Sequence, residues 1–307
     1  MGHRPAETRR LRQGAAGDPL RVTHGAATGI PHDPQRKGTP PMSTLVLYHG
    51  TTSVCSQKVR LALEEIGLDY DSRLLDLQKG DQFAPDYVAL NPEAVVPTLV
   101  DDGLVVVESS LILSYLDRVH NGGALMPAAP DRGVAARHWL LRCLAIHGAI
   151  NTLSFSTVMR DKMLATKSQD EIDASLARMP DPVARAKRRD LLDRGLASVH
   201  VDQALRHVGL WFADMNAALR QTAWISGDAF GLSDVALLSY LDRLDRLGFD
   251  GLWADRPAIA GWLAAMKARP SYARAIADLI PDGAATAMRT AGQTHWPELS
   301  DRWTART

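Results

Sequence analysis

The sequence predicts an α/β unit on a small mixed sheet, followed by an all-helical unit. Three observations carry this. Within residues 43–120, β-rich runs alternate with helical periods. Asp102-Gly103 separates two β-branched runs and fits a type I′ hairpin turn, so the last two strands are antiparallel. From residue 131 to 280 the helical periods continue with no further strand signal.

The elements follow in order. "STLVLYHG" (43–50) is a strand ending in glycine. "SVCSQKVRLALEEIGL" (53–68) is a helix, with Ser53 as N-cap and Gly67 as stop. "DYDSRLLDL" (69–77) is a second strand, and 81–94 a short, proline-interrupted helical or irregular stretch. Residues 95–110 form the hairpin, and "SSLILSYLDRVH" (109–120) a helix with Leu111, Ile112, Tyr115, Leu116 and Val119 on one side. The order is β-α-β-α-β-β-α over residues 42–120. "NGGALMPAAP" (121–130) breaks all periodicity and reads as a linker. The helical unit, 131–280, divides at 131–164, a charged proline-broken segment at 169–195, 196–221, 232–249, 257–269 and 271–280. Residues 281–307 form a C-terminal tail. Within it "HWPELSDRW" predicts a helical turn or two, with Pro297 at the first position and Trp296, Leu299 and Trp303 on one face. Two readings of the tail stay open, packing on the body or covering a pocket.

Composition narrows the function. Thirty-five basic residues balance 35 acidic ones, which argues against a general nucleic-acid or membrane-surface role. No run reaches the ~18–20 apolar residues of a membrane span. Two cysteines, Cys55 and Cys143, make no disulfide framework, so a reducing, cytoplasmic location is expected. Residues 1–41 hold seven basic and three acidic residues, with no hydrophobic period. They read as a disordered leader, and Met42 is the expected start of translation.

Three short stretches carry candidate chemistry. Pro97 opens a strand and has no N–H to give the ladder. If the Val96-Pro97 bond is cis, Val96 turns both backbone groups outward, toward an extended peptide ligand. In "ESS" (108–110), Glu108 ends a strand and Ser109 begins a helix whose free N–H groups suit a carboxylate. An amino-acid end fits there, and a plain cap with a solvated Glu108 is the competing reading. In "TTSVCSQKVRLAL" (51–63), Ser53 caps the helix or donates to a thiolate held there. Half-ionising a thiol of pKa ~8.5 at pH 7 takes about 2 kcal/mol. One charged hydrogen bond plus a helix terminus supplies that. Cys55, at the second helical position, is either a small buried residue or a thiol with lowered pKa for the same reason.

Taken together, "SVCSQKVRLALEEIGL", "NPEAVVPTLVDDG" and "VVESSLILSYLD" resemble the glutathione transferase superfamily over roughly 44–280. The resemblance implies a thioredoxin-like N-terminal domain and an all-α bundle. It implies that Pro97 is cis, that Val96 pairs with the glutathione backbone, and that Glu108 and Ser109 bind its γ-glutamyl end. Ser53 stands at the family's catalytic position. Family members often carry Lys or Gln where this chain has Val95, to hold the glycine end; Gln82 matches another position for that end. "GLSD" keeps a structural Asp234 with Gly231 at the cap. The segment "MPDPVARAKRRDLLDRGLASVHVDQALRHV" resembles bacterial glutathione-dependent β-aryl etherases. Within it, Lys187-Arg188-Arg189 reads as a solvated face paired to nearby acids, or as the border of an acidic substrate.

The resemblance further implies a second-substrate pocket from Trp139, Arg142 and His147. Cys143 shares a face with His147, but two scattered ligands do not make a metal site, and no metal is expected. The function expected is a homodimeric enzyme. It stabilises the glutathione thiolate and directs it at a small hydrophobic or aromatic electrophile, with aryl-ether cleavage among the reactions implied. Two other classes stay open: a glutathione-dependent thiol–disulfide oxidoreductase using Cys55, and a non-catalytic glutathione- or ligand-binding module.

Overall fold

A computed structural model describes residues 45–305; the expectations for residues 1–41 lie outside them. Strands β1 (Leu45–His49), β2 (Asp71–Leu74), β3 (Thr98–Asp101) and β4 (Leu104–Val107) make one sheet in the order β2-β1-β3-β4. β1 runs parallel to β2, with Val46 opposite Asp71, and antiparallel to β3, with Tyr48 opposite Thr98. β3 and β4 form the expected hairpin, Asp102 and Gly103 both holding positive φ as a type I′ turn requires. Helix α1 (Val54–Ile66) crosses between β1 and β2. A 3-10 turn (Asp81–Phe83) and α2 (Pro85–Leu90) lead to β3, and α3 (Ser109–His120) leaves β4.

The α1 boundaries follow from the sequence. Ser53 Oγ accepts the Ser56 N–H at 3.3 Å, and Gly67, at φ 77°, closes the helix with its N–H on the Leu63 carbonyl. Such an N-cap contributes about 1 kcal/mol. α1 is apolar on the sheet side, and Val59, Leu61, Ala62 and Leu63 are wholly buried.

The helical part comprises α4 (Pro130–Phe155), α5 (Val158–Thr166), α6 (Gln169–Ala177), α7 (Pro182–Arg194), α8 (Val199–Leu219), α9 (Leu232–Arg246), α10 (Pro257–Lys267) and α11 (Pro270–Ala275). α9 is the axis, buried on every side and packed against α1, α3, α4 and α10. One continuous core therefore joins both parts. Asp234 fixes the start of α9. Its carboxylate accepts the N–H groups of Ile225, Ser226 and Gly231 and the Trp262 indole N–H, a structural role.

The tail is more regular than the sequence predicts. It forms α12 (Ala284–Gln293) and α13 (Trp296–Thr304), with Pro297 at the second rather than the first helical position. Leu299 and Trp303 are buried, and Gly292 lies so close to the end of α9 that a Cβ there would collide with the Leu247 carbonyl oxygen. α12 walls a cavity of about 400 Å³ beside Asp245, Lys267 and Tyr272, and none of the residues around Cys55 lines it.

Candidate active site

Strand direction gathers the candidate residues. β1, β2 and β4 end, and β3 begins, at the same end of the sheet. The start of α1, the loop carrying Gln82, the Val96-Pro97 turn and the start of α3 meet there.

Val96-Pro97 is cis. Tyr87 and Asn91 both donate to the Val95 carbonyl and hold the turn from behind. Among the described residues nothing takes the N–H or C=O of Val96. Glu108, exposed, sits just before α3 at φ 68° and ψ 109°, a conformation that costs a non-glycine residue about 1–3 kcal/mol. That strain sits at the corner between β4 and α3, where the free N–H groups of the helix start lie. Gln82 has a buried side-chain oxygen with no partner. Beside it the Arg178 guanidinium stacks on Phe83 at 4.9 Å and closes on Gly80.

Ser53 caps α1 as expected, and its Oγ uses an acceptor site in doing so, leaving its O–H free to donate. Cys55 is more engaged than a small apolar residue. Its Sγ lies 3.5 Å from His147 Nδ1 and 3.9 Å from the Tyr240 hydroxyl. Burial opposes the thiolate, but the His147 imidazole, Lys58 and the Ser109 hydroxyl more than offset it and hold the pKa well below that of a free thiol. Burial is the largest single influence on His147 and lowers it, but the charge and the hydrogen bond of Cys55 together outweigh burial and leave it raised. Tyr240 is driven upward by burial and by Cys55, so it stays a neutral donor.

Lys58, Tyr240 and Arg243 complete the site and were not legible as site residues. Lys58 is wholly buried; its Nζ donates to Ser110 Oγ at 2.8 Å and to the Tyr240 hydroxyl at 3.4 Å. The buried Arg243 donates to the Thr52 carbonyl, and burial lowers its pKa to about 9. Among the described residues, no carboxylate lies within ion-pair distance of Lys58, His147 or Arg243. The site is a partly desolvated positive well around one sulfur, and it favours thiolates. One signal pointed toward Lys58: it lies three residues after Cys55, on the same helical face.

Two expected substrate contacts are not brought here. Trp139 packs in the core, and Arg142 stacks on its ring at 4.6 Å and pairs with Asp214 of α8 at 2.8 Å. Helical rotation explains this. Trp139 lies about 80° and Arg142 about 140° around α4 from His147. The Cys143 thiol also faces the core, donating to the Trp139 carbonyl. Among the described residues, no group of three or more His, Cys, Asp or Glu could hold a metal ion, and no helix is long and apolar enough to cross a membrane.

Comparison with known proteins agrees with this geometry. Residues 52–119 match the glutathione S-transferase N-terminal domain model and residues 183–265 the C-terminal domain model. The chain is 29% identical to the tetrachloro-p-hydroquinone reductive dehalogenase of Sphingobium chlorophenolicum, over 75% of this chain and 95% of that protein. The crystal structure of β-etherase LigF from Sphingobium sp. superposes with a TM-score of 0.67 at 26% identity, covering 76% of this chain and 98% of that one. A theta class glutathione S-transferase from Xanthomonas axonopodis, solved with glutathione bound, gives a TM-score of 0.54 at 25% identity, covering 76% and 98%. With both domain models matched in order on the two parts that build the site, the chain belongs to the glutathione S-transferase superfamily, as a transferase-type enzyme whose cosubstrate is glutathione.

Proposed function

We propose that the enzyme binds glutathione along Val96, with its γ-glutamyl end at Glu108 and Ser109 and its glycine end near Gln82 and Arg178. The glutathione sulfur lies at the N-terminus of α1, where the Ser53 hydroxyl donates to the thiolate. The thiolate attacks an electrophilic aromatic or hydrophobic carbon: a C–S bond forms, the bond to the leaving group breaks, and the departing aryloxide or halide carries the electron pair. The observation that carries this reading is the convergence of the unpaired Val96 backbone, the Glu108 corner and the capped start of α1 at one end of the sheet. Similarity to an etherase and a dehalogenase supports an aryl ether or halide as the bond broken. Both cysteines are free, which fits a reducing cytoplasm. Val134, Leu141 and Leu144 form an exposed apolar stripe on α4, and Leu104, Val105 and Leu111 are exposed on β4 and α3, which supports a homodimer through these faces.

The test is product analysis. With glutathione and a set of aryl halides and β-aryl ethers, mass spectrometry should find the glutathione conjugate. Ser53→Ala should lower kcat/KM about ten- to hundredfold, the effect of losing one hydrogen bond to a charged group. Absence of conjugates from a protein that binds glutathione would refute the reading.

The Cys55–His147 pair favours a second reading. A Cys55 thiolate attacks a glutathionyl disulfide, forming a Cys55–glutathione disulfide and releasing the other thiolate. A second glutathione thiolate then restores Cys55 and leaves as glutathione disulfide. Reductase activity unaffected by Cys55→Ser would end it.

A further inference from the structure

The basic run on α7 is not the paired surface it resembles in sequence. Arg189 alone meets acids, contacting Asp173 of α6 and, at 3.8 Å, Asp193 one turn on. Among the described residues, Lys187 and Arg188 have no carboxylate within ion-pair distance. Arg188 turns inward onto the end of α4. Its Nη2 donates to Asn151 Oδ1 at 3.1 Å, and its guanidinium carbon stands 3.2 Å from the centre of the Phe155 ring. Burial holds both cations below their ordinary pKa, Arg188 at about 10, and the two like charges are neighbours.

Position gives this orphan charge a meaning. Asn151 is four residues beyond His147, on nearly the same face of α4, and His147 touches Cys55. The guanidinium is therefore anchored on α4 one to two helical turns, roughly 6–12 Å of axial rise, beyond His147, which meets Cys55 two residues after Ser53. The aromatic ring and Asn151 fix its plane, while among the described residues most of its five N–H donors have no protein acceptor. A half-buried cation without a counter-ion is costly, and a bound anion removes that cost.

We propose that Arg188, with Lys187 beside it, determines specificity for the second substrate by taking an anionic substituent, a carboxylate or phenolate, carried para to the electrophilic carbon of an aromatic ring. The para position is the one farthest from the electrophilic carbon, so a substituent there reaches furthest along α4 toward the guanidinium. The inference rests on the reading that the thiolate attacks an aromatic electrophile.

The experiment compares 4-chloro-3-nitrobenzoate with 4-chloro-3-nitrobenzamide on the full chain at saturating glutathione, each rate divided by its uncatalysed rate. The wild type should prefer the benzoate, less so as salt is raised. Arg188→Gln should lose about ten- to hundredfold in kcat/KM on the benzoate and change the amide by less than about twofold, with Arg188→Lys recovering part of the loss. Calorimetry on the glutathione-loaded protein, with unreactive 3-nitrobenzoate and 3-nitrobenzamide, reads charge recognition without turnover. Tighter binding of the anion, lost in Arg188→Gln, supports the inference even if neither chloride reacts, an outcome that would count against the transferase reading alone. Equal binding of the two probes, an equal loss on both substrates, or a loss confined to the KM for glutathione would overturn it.

Discussion

Replacing His147 with Gln removes the imidazolium beside Cys55 and keeps a polar side chain of similar reach. In the wild type the Cys55 pKa is lowered to about 6. Its causes act in opposite directions: burial raises it, and His147 is the largest influence lowering it. A hydrogen bond to a charged partner contributes about 1.5–3 kcal/mol, equivalent to about one to two pH units. His147→Gln should therefore move the midpoint to between about 7 and 8, with Lys58 and the α1 terminus still acting. A thiol reacts as its thiolate, so alkylation rises with pH through the pKa. At pH 7 the variant should be alkylated by iodoacetamide about two- to tenfold more slowly, and the two proteins should converge above pH 9. Cys55→Ser supplies the background, since Cys143 is buried. An alkylation midpoint unchanged in His147→Gln would refute the reasoning and assign the low pKa to Lys58 and the helix terminus.

Two further outcomes follow from the packing. Asp234→Ala leaves three backbone N–H groups and the Trp262 indole unpaired in a buried position. It should cost about 4 kcal/mol and lower Tm by roughly 8–16 °C in a thermal melt. Leu141→Glu with Leu144→Glu places two charges on the exposed α4 stripe and should convert a dimer to a monomer by light scattering, with the helical circular dichroism unchanged.

Much of the thioredoxin-like half was legible because its signals are local. Asp102-Gly103, the Ser53 cap, the Gly67 stop and the Val-Pro pair each act within a few residues. The centre of the site was less legible because it is made across the fold. Lys58 looks like any solvent-facing lysine of an amphipathic helix until α9 covers it. Tyr240 lies in a run, "LSYLDRLDR", whose acids and arginines imitate an exposed helix, yet it reaches Cys55 from 185 residues away. Trp139 and Arg142 lie on other faces of α4 than His147, because proximity in sequence does not fix rotation about a helix. α12 was missed because its apolar face is built from alanines and a single Met, small side chains that stand out little in sequence; Met288 and Ala291 pack on the core, and close approach at Gly292 seats the helix.

The most direct test of the central claim is the ultraviolet thiolate spectrum of bound glutathione, taken as the difference between loaded and unloaded protein across pH for wild type, Ser53→Ala and Cys55→Ser. The bound thiol should be half-ionised near or below pH 7, rise by about one to two units in Ser53→Ala, and hold in Cys55→Ser. No thiolate on loading, or a signal lost with Cys55 and kept without Ser53, would contradict it.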